Sequence, residues 1–88
     1  MNMAFALLAR FESPVVALKD ISDEFLGLTP KTAEQKAKAQ DLPFPTFKLR
    51  DSERSPSLVN VQDLAAYMDS QYALSRKDWD TIQQARRL

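Results

Sequence analysis

Residues 18–40 decide the fold, and they read LKDISDEFLGLTPKTAEQKAKAQ. Apolar side chains recur every three or four positions in the first part, opposite Lys, Asp and Glu, which predicts an amphipathic helix over residues 18–26. Gly27 suits the left-handed conformation that ends a helix. Thr29 is a good N-cap and Pro30 favours the first helical position, so a second helix begins there. The stretch is therefore predicted to be a helix-turn-helix.

The second helix, predicted over residues 30–40, is unusually polar because alanines are its only apolar side chains. In a helix-turn-helix the second helix enters the major groove of DNA, so its exposed side must carry hydrogen-bonding groups. Thr32, Gln35 and Lys36 share one face at i, i+3 and i+4 spacing, and these residue types can contact base edges. Two flanking lysines are predicted to contact phosphate, which positions a protein without specifying a sequence: Lys31 and Lys38.

Short elements precede the helix-turn-helix. Asn2 can cap a helix that extends to Phe11, and Ser13-Pro14 ends it, because the residue before proline avoids the α-helical region. The β-branched run at residues 15–17 predicts one small strand.

A β-hairpin is predicted after the polar helix, in the position of the wing of a winged helix. Residues 46–50 form its first strand with Phe47 and Leu49 facing inward, residues 51–57 form a polar loop, and residues 58–59 return. The wing residues predicted to contact DNA include an arginine near the loop tip, and they are Lys48, Arg50, Arg54 and Ser55.

The last part of the chain carries a long apolar seam. Its members are three or four residues apart: Val61, Leu64, Met68, Tyr72, Ser75, Trp79 and Ile82. After an Asn60 cap, this spacing predicts one helix over residues 61–86, since neither glycine nor proline interrupts it; Ser75 with Asp78 could instead start a new helix. One helix of that length spans roughly 39 Å, longer than a small domain needs. Three seam residues are therefore predicted to form a dimer contact: Tyr72, Trp79 and Ile82.

The fold class expected from these elements is mainly α with a small β-hairpin, a winged helix-turn-helix with a long C-terminal helix. At 88 residues the chain is one domain, 1–88, with a core over 1–72 and a helical extension over 73–88.

Composition excludes much catalytic chemistry. The chain has no cysteine and no histidine, which excludes disulfides, thiolate catalysis and Cys-ligated zinc and removes the usual general base. Its single glycine rules out a Walker loop and a dinucleotide fingerprint. We therefore expect no enzyme activity, no cofactor and no metal, and with no apolar run near 20 residues we expect a cytoplasmic protein without membrane contact.

The net charge of zero conceals an uneven distribution. Residues 1–29 hold two basic and four acidic side chains, residues 30–57 hold six and four, and residues 58–88 hold four and four. The positive excess thus falls on the predicted recognition helix and wing. Because the excess is small, non-specific DNA binding should be weak and specific contacts should matter more.

Four segments carry a resemblance to a known family: Met1-Asn2-x-Ala4-Phe5-x-Leu7-Leu8-Ala9-x-Phe11, then Leu42-Pro43-Phe44-Pro45, then Arg50-Asp51-Ser52, and finally Val59-x-Val61-x-Asp63-Leu64-Ala65-x-Tyr67-Met68-Asp69. Up to about Tyr72, the chain resembles the pyocin activator (PrtN-like) family, small phage-related regulators of bacteriocin genes. The chain departs from the family pattern at Glu53-Arg54 and lacks a glycine expected near Asp41.

The resemblance implies a bacterial, nucleoid-associated transcriptional regulator that activates prophage or bacteriocin genes. The expected partners are double-stranded DNA and RNA polymerase. A second copy, in a homodimer or tandem oligomer, is also expected because one domain of 88 residues covers only a short DNA site. Two alternatives stay open. An excisionase-like recombination directionality factor would share the fold and bend DNA, and a protein–protein adaptor would use the C-terminal seam without DNA.

Overall fold

The computed structural model describes residues 2–52 and 54–87; Met1, part of the first predicted motif, and Glu53, part of the predicted wing, lie outside the described residues, as does Leu88. The elements in chain order are α1 (Met3–Phe11), β1 (Val15–Ala17), α2 (Leu18–Ile21) continued by a π-helical segment (Ser22–Leu26), α3 (Pro30–Lys38), β2 (Leu58–Asn60) and α4 (Val61–Arg86). The protein is mainly helical, with a two-stranded antiparallel sheet and a long C-terminal helix, in a winged-helix-like arrangement. The predicted fold class is confirmed.

Side-chain caps begin three of the helices where the sequence predicts them. The Asn2 side chain accepts a hydrogen bond from the backbone N–H of Ala4, at 2.8 Å, and begins α1. The Thr29 hydroxyl accepts from the N–H of Thr32 and begins α3, with Pro30 in its first turn. Asn60 accepts from the N–H of the second residue of α4, at 2.8 Å. Each cap satisfies backbone donors that a helix start leaves without a partner.

The first helix of the helix-turn-helix changes its hydrogen-bonding pattern midway. The predicted helix over residues 18–26 has the right bounds, but it is α-helical only to Ile21 and π-helical from Ser22. Ile21 and Ser22, on either side of the change to this wider turn, are both completely buried. Gly27 ends the segment with φ at 66°, the left-handed conformation expected of it.

The polar helix α3 ends at Lys38, two residues before its predicted end. The helix ends in a left-handed turn, in which the N–H of Asp41 donates to the carbonyl of Lys36 at 2.8 Å. Gln40 occupies the left-handed position, with φ at 56°. That conformation favours glycine, so a glutamine there carries a conformational cost.

The sheet pairs two short strands that are far apart in the sequence, with α2, α3 and the wing between them. β1 and β2 are antiparallel, and Val16 lies opposite Val59 at the centre of the register. On its other side, among the residues that the structure describes, β2 meets the wing only at Leu58, which exchanges two backbone hydrogen bonds with Phe47, at 3.0 and 2.7 Å. Ala17, Leu58 and Phe47 therefore form a single three-residue rung across sheet and wing.

The strand predicted over residues 46–50 is reduced to that rung. Beyond it the chain turns, because the N–H of Ser52 donates to the carbonyl of Arg50 at 2.9 Å. Phe47 and Leu49, both predicted to face inward, are 39% and 81% exposed, so this part of the prediction is wrong. The proline-rich exit that precedes the wing, residues 42–45, also limits the strand, since proline has no backbone N–H to donate to a neighbouring strand.

The core lies between the sheet and the first half of α4. α1 packs against α4 and α2 packs against α3. The buried apolar side chains are Leu7, Val16, Leu18, Ile21, Ala33, Phe44, Val59, Val61, Leu64 and Ala65. Phe44 also makes an edge contact with Tyr67, with ring centroids 5.9 Å apart, which attaches the proline-rich exit to α4.

Helix α4 is continuous, which settles the alternative of a break near Ser75 in favour of one helix. Met68 is the last of its residues that packs against the core. The remainder projects outward, so the molecule measures 58 × 27 × 17 Å, with a radius of gyration of 15.9 Å. A compact chain of this length would have a radius near 12 Å. Within the described part of the chain, no helix is both long and apolar enough to traverse a lipid bilayer.

Candidate nucleic-acid interface

Helix α3 presents a polar face to the outside because small side chains attach it to the core. Ala33 is fully buried and Ala37 is half-buried against the core. At about 100° per residue, Gln35 lies on the opposite side of the helix. Gln35 is exposed, as are Lys31 and Lys38 next to it. The alanines thus let the helix sit close to α2 while its long polar side chains point away.

A groove of about 840 Å³ separates α3 from the wing. On the helix side its lining includes Lys31, Gln35 and Lys38, and on the wing side it includes Lys48 and Phe47. Four of these five residues carry polar, hydrogen-bonding side chains, and three of them are cationic, while two acidic residues, Glu34 and Asp51, also line the groove. The groove therefore combines the exposed face of α3 with a basic residue of the wing and carries a small positive excess, which suits an anionic partner.

One contact between α3 and the wing was not expected from the sequence. The carboxylate of Glu34 accepts hydrogen bonds from the hydroxyl of Ser57, at 2.7 Å, and from its backbone N–H, at 3.4 Å. Ser57 is buried and Glu34 is half-buried. The pair fixes the base of the wing to α3, so the two sides of the groove are linked directly.

The structure separates the three residues that were predicted to share the reading face. Gln35 lines the groove, whereas the Thr32 hydroxyl lies 3.0 Å from that of Thr29 in the N-terminal cap. Lys36 is half-buried, and its ammonium lies 3.4 Å from the carboxylate of Asp41 at the C-terminal end of the helix. Lys31 and Lys38, expected on the flanks, lie beside Gln35 in the groove.

The predicted wing residues lie at different places on the loop. Lys48 lines the groove, and its ammonium donates to the carbonyl of Ser52 at 3.4 Å. Among the residues described on the loop, Arg50 and Arg54 are exposed and Ser55 is half-buried. The two arginines extend the basic surface beyond the groove.

The predicted dimer residues lie far from this groove, on the free part of α4. Tyr72 is 64% exposed, Trp79 55% and Ile82 52%. The guanidinium of Arg76 lies 5.5 Å from the centre of the Trp79 ring and 3.4 Å from the carboxylate of Asp80. A hydrogen bond with Tyr72 and the charge of Asp80 raise the pKa of Arg76 above its ordinary value.

Comparison with known proteins assigns the chain to a family. The family model described as Pyocin activator protein PrtN matches residues 3–74, which include α1, the helix-turn-helix, the wing and the core half of α4. Neither a curated protein nor a solved structure matches the chain. The match covers most of the chain, so the protein belongs to the pyocin activator family, a family of regulators of pyocin genes.

Proposed function

We propose that the protein is a DNA-binding transcriptional activator of pyocin genes, which reads the major groove with α3 and holds the adjacent phosphates with the wing. Family membership supports the regulatory role. The observation that carries DNA binding is the position of Gln35, at the centre of the exposed face of α3 and opposite the buried alanines, with a lysine on the same face and Lys48 across the groove.

The chemistry of the α3 face fits base recognition. A glutamine amide has both a donor and an acceptor and can bind the N6 and N7 edge of adenine through two hydrogen bonds. Lysines such as Lys31 and Lys38 can reach guanine O6 and N7 or contact phosphate. With no bulky apolar side chain on its exposed face, α3 can approach the floor of a major groove about 12 Å wide.

The wing supplies charge at the edge of that face. Lys48, Arg50 and Arg54 are exposed and can neutralise phosphates of the strand beside the groove. Because the whole chain has a net charge of zero, this local excess supplies little binding to arbitrary DNA. Specific contacts therefore provide most of the affinity for the operator.

DNA selected from a random duplex library tests the proposal. The purified protein should enrich one short motif, and the affinity for that motif should fall as salt rises, because phosphate contacts release counterions. The motif should occur upstream of pyocin genes, and a reporter driven by such a promoter should be activated by the protein. Activation also requires a contact with RNA polymerase, which the reporter assay includes.

Two other outcomes would identify the alternatives. Several abutting sites near an attachment sequence, with bent DNA, would indicate an excisionase-like factor in place of an activator. Absence of salt-dependent duplex binding at low ionic strength would overturn DNA binding and favour a protein–protein adaptor.

A further inference from the structure

The free part of α4 presents large apolar side chains that its own core does not cover. Tyr72, Trp79 and Ile82 follow one another at intervals of seven and three residues, so they lie along one side of the helix, and each is more than half exposed. Scattered exposed apolar residues are normal on a monomer, but an aligned group on a projecting helix is typical of an interface. This group is called the free seam below.

Four charged residues run in a row next to the free seam. They are Asp69, Arg76, Asp80 and Arg87, at intervals of seven, four and seven residues. Intervals of four and seven residues are close to whole turns of an α-helix, so the four side chains lie on one side. Their signs alternate along the helix, and the intervals are the same in either direction.

The row of charges is complementary to the same row on a second copy of the helix that runs in the opposite direction. Reversal places Arg87 at the position of Asp69 and Asp80 at the position of Arg76, with the same spacing. When two copies lie side by side in opposite directions, each acidic side chain of the row is therefore at the same height as a basic side chain of the partner, at all four positions. In a parallel two-fold pair each residue lies level with its own copy, so like charges are level with each other.

We propose that the protein forms an antiparallel homodimer through the free parts of two α4 helices. Asp69 lies against the partner's Arg87, and Arg76 lies against the partner's Asp80. The two-fold axis then passes near Asp78, and the free seam of each helix packs against that of the other. The proposal commits to a second copy because the charge row fits itself, and it does not depend on DNA binding.

The centre of this interface is already ordered within one chain. Arg76 lies between the ring of Trp79 and the carboxylate of Asp80, at the distances given above. In the dimer the two Arg76–Asp80 pairs approach each other across the axis and form a network of four charges. A network of this kind is more effective than an isolated surface ion pair.

Charge exchange tests the register. Sedimentation equilibrium of the whole protein should show a monomer–dimer equilibrium. Asp69→Arg should raise the dimer dissociation constant about tenfold, because two symmetry-related attractions become repulsions. Arg87→Asp should do the same, and the double variant should recover affinity close to that of the unchanged protein.

A matched control makes the same kind of charge change on the opposite side of the helix from the free seam. Lys77→Asp reverses one charge, as Arg87→Asp does, at an exposed position outside the row, so it should alter the dissociation constant less than threefold. Circular dichroism should show equal helix content for all variants, which separates loss of association from loss of folding. A monomer at every concentration, or a double variant that stays as weak as the single ones, would overturn the proposal.

Disulfide formation tests the direction of the helices. The chain has no cysteine, so a single Gln83→Cys substitution creates one defined thiol. In the antiparallel dimer the two copies of this residue are ten positions apart along the helices, about 15 Å, which is too far for a disulfide. We expect no cross-link under mild oxidation. Efficient cross-linking would show parallel helices and contradict the proposed pairing.

Discussion

Glu34 on α3 accepts two hydrogen bonds from Ser57, one from its hydroxyl and one from its backbone N–H, and so holds α3 and the wing in a fixed relation. A buried N–H and a buried hydroxyl would otherwise lack partners at the base of the wing. Because the groove lies between α3 and the wing, this carboxylate helps to set the geometry of the candidate interface, together with the backbone hydrogen bonds between Leu58 and Phe47.

Removal of the Glu34 carboxylate should therefore destabilise the protein. We expect Glu34→Ala to lower the free energy of unfolding in urea by about 1–2 kcal/mol, because hydrogen bonds to a charged group are lost and a buried donor keeps no partner. Ser57→Ala loses only the hydroxyl bond and should cost less. Gln35→Ala, one residue away and exposed, is the control and should leave stability nearly unchanged. Equal stability of Glu34→Ala and the unchanged protein would contradict the role of this pair.

Gln35 should determine sequence preference more than overall affinity for DNA. Gln35→Ala should reduce discrimination between the selected operator and a random duplex by about 1–3 kcal/mol, since a bidentate base contact is lost while the phosphate contacts remain. Fluorescence anisotropy with the two duplexes measures this difference. An equal loss on both duplexes would show that Gln35 does not read bases.

Lys48 should behave in the opposite way. Lys48→Ala should weaken binding to the operator and to a random duplex by the same factor, because a phosphate contact carries no sequence information. The slope of log affinity against log salt should become shallower by about one. A preferential loss on the operator would indicate that Lys48 contacts a base.

Gln40 offers a site for stabilisation. Gln40→Gly should raise the free energy of unfolding by about 0.5–1 kcal/mol, because glycine adopts the left-handed conformation at the end of α3 without steric cost. Thermal or urea unfolding measures the gain. Ala39→Gly, at the neighbouring position with ordinary helical dihedral angles, is the control and should not stabilise. An unstable Gln40→Gly variant would show that the glutamine side chain contributes more than its backbone conformation costs.

Local signals accounted for most of the fold. The caps at Asn2, Thr29 and Asn60 and the turn at Gly27 depend on neighbouring residues only, and all four lie where the sequence predicts them. The wing was harder to predict because Leu49 follows the alternation of a strand without a neighbouring strand to pair with. Short-range patterns show which residues could form a strand but not whether a partner is within reach.

The candidate interface was predictable as a surface but not in its internal contacts. The polar residues of α3 were visible from their spacing, although Lys36 and Thr32 interact with the ends of their own helix. The contact between Glu34 and Ser57 joins residues 23 positions apart, and a glutamate in a lysine-rich helix resembles any solvated charge. A carboxylate that accepts from a distant loop can be recognised only after the chain has been folded.

Because α4 is unbroken, the free seam has a fixed rotation about the helix axis relative to the core. Each residue inserted between Met68 and Tyr72 would rotate the free seam by about 100° relative to the core and advance it by 1.5 Å. An insertion of seven residues would nearly restore the original angle, whereas an insertion of two would turn the seam to the opposite side. In the proposed dimer this helix therefore acts as a rigid spacer, whose length sets the distance between two recognition helices and hence the spacing of the half-sites that one dimer can occupy.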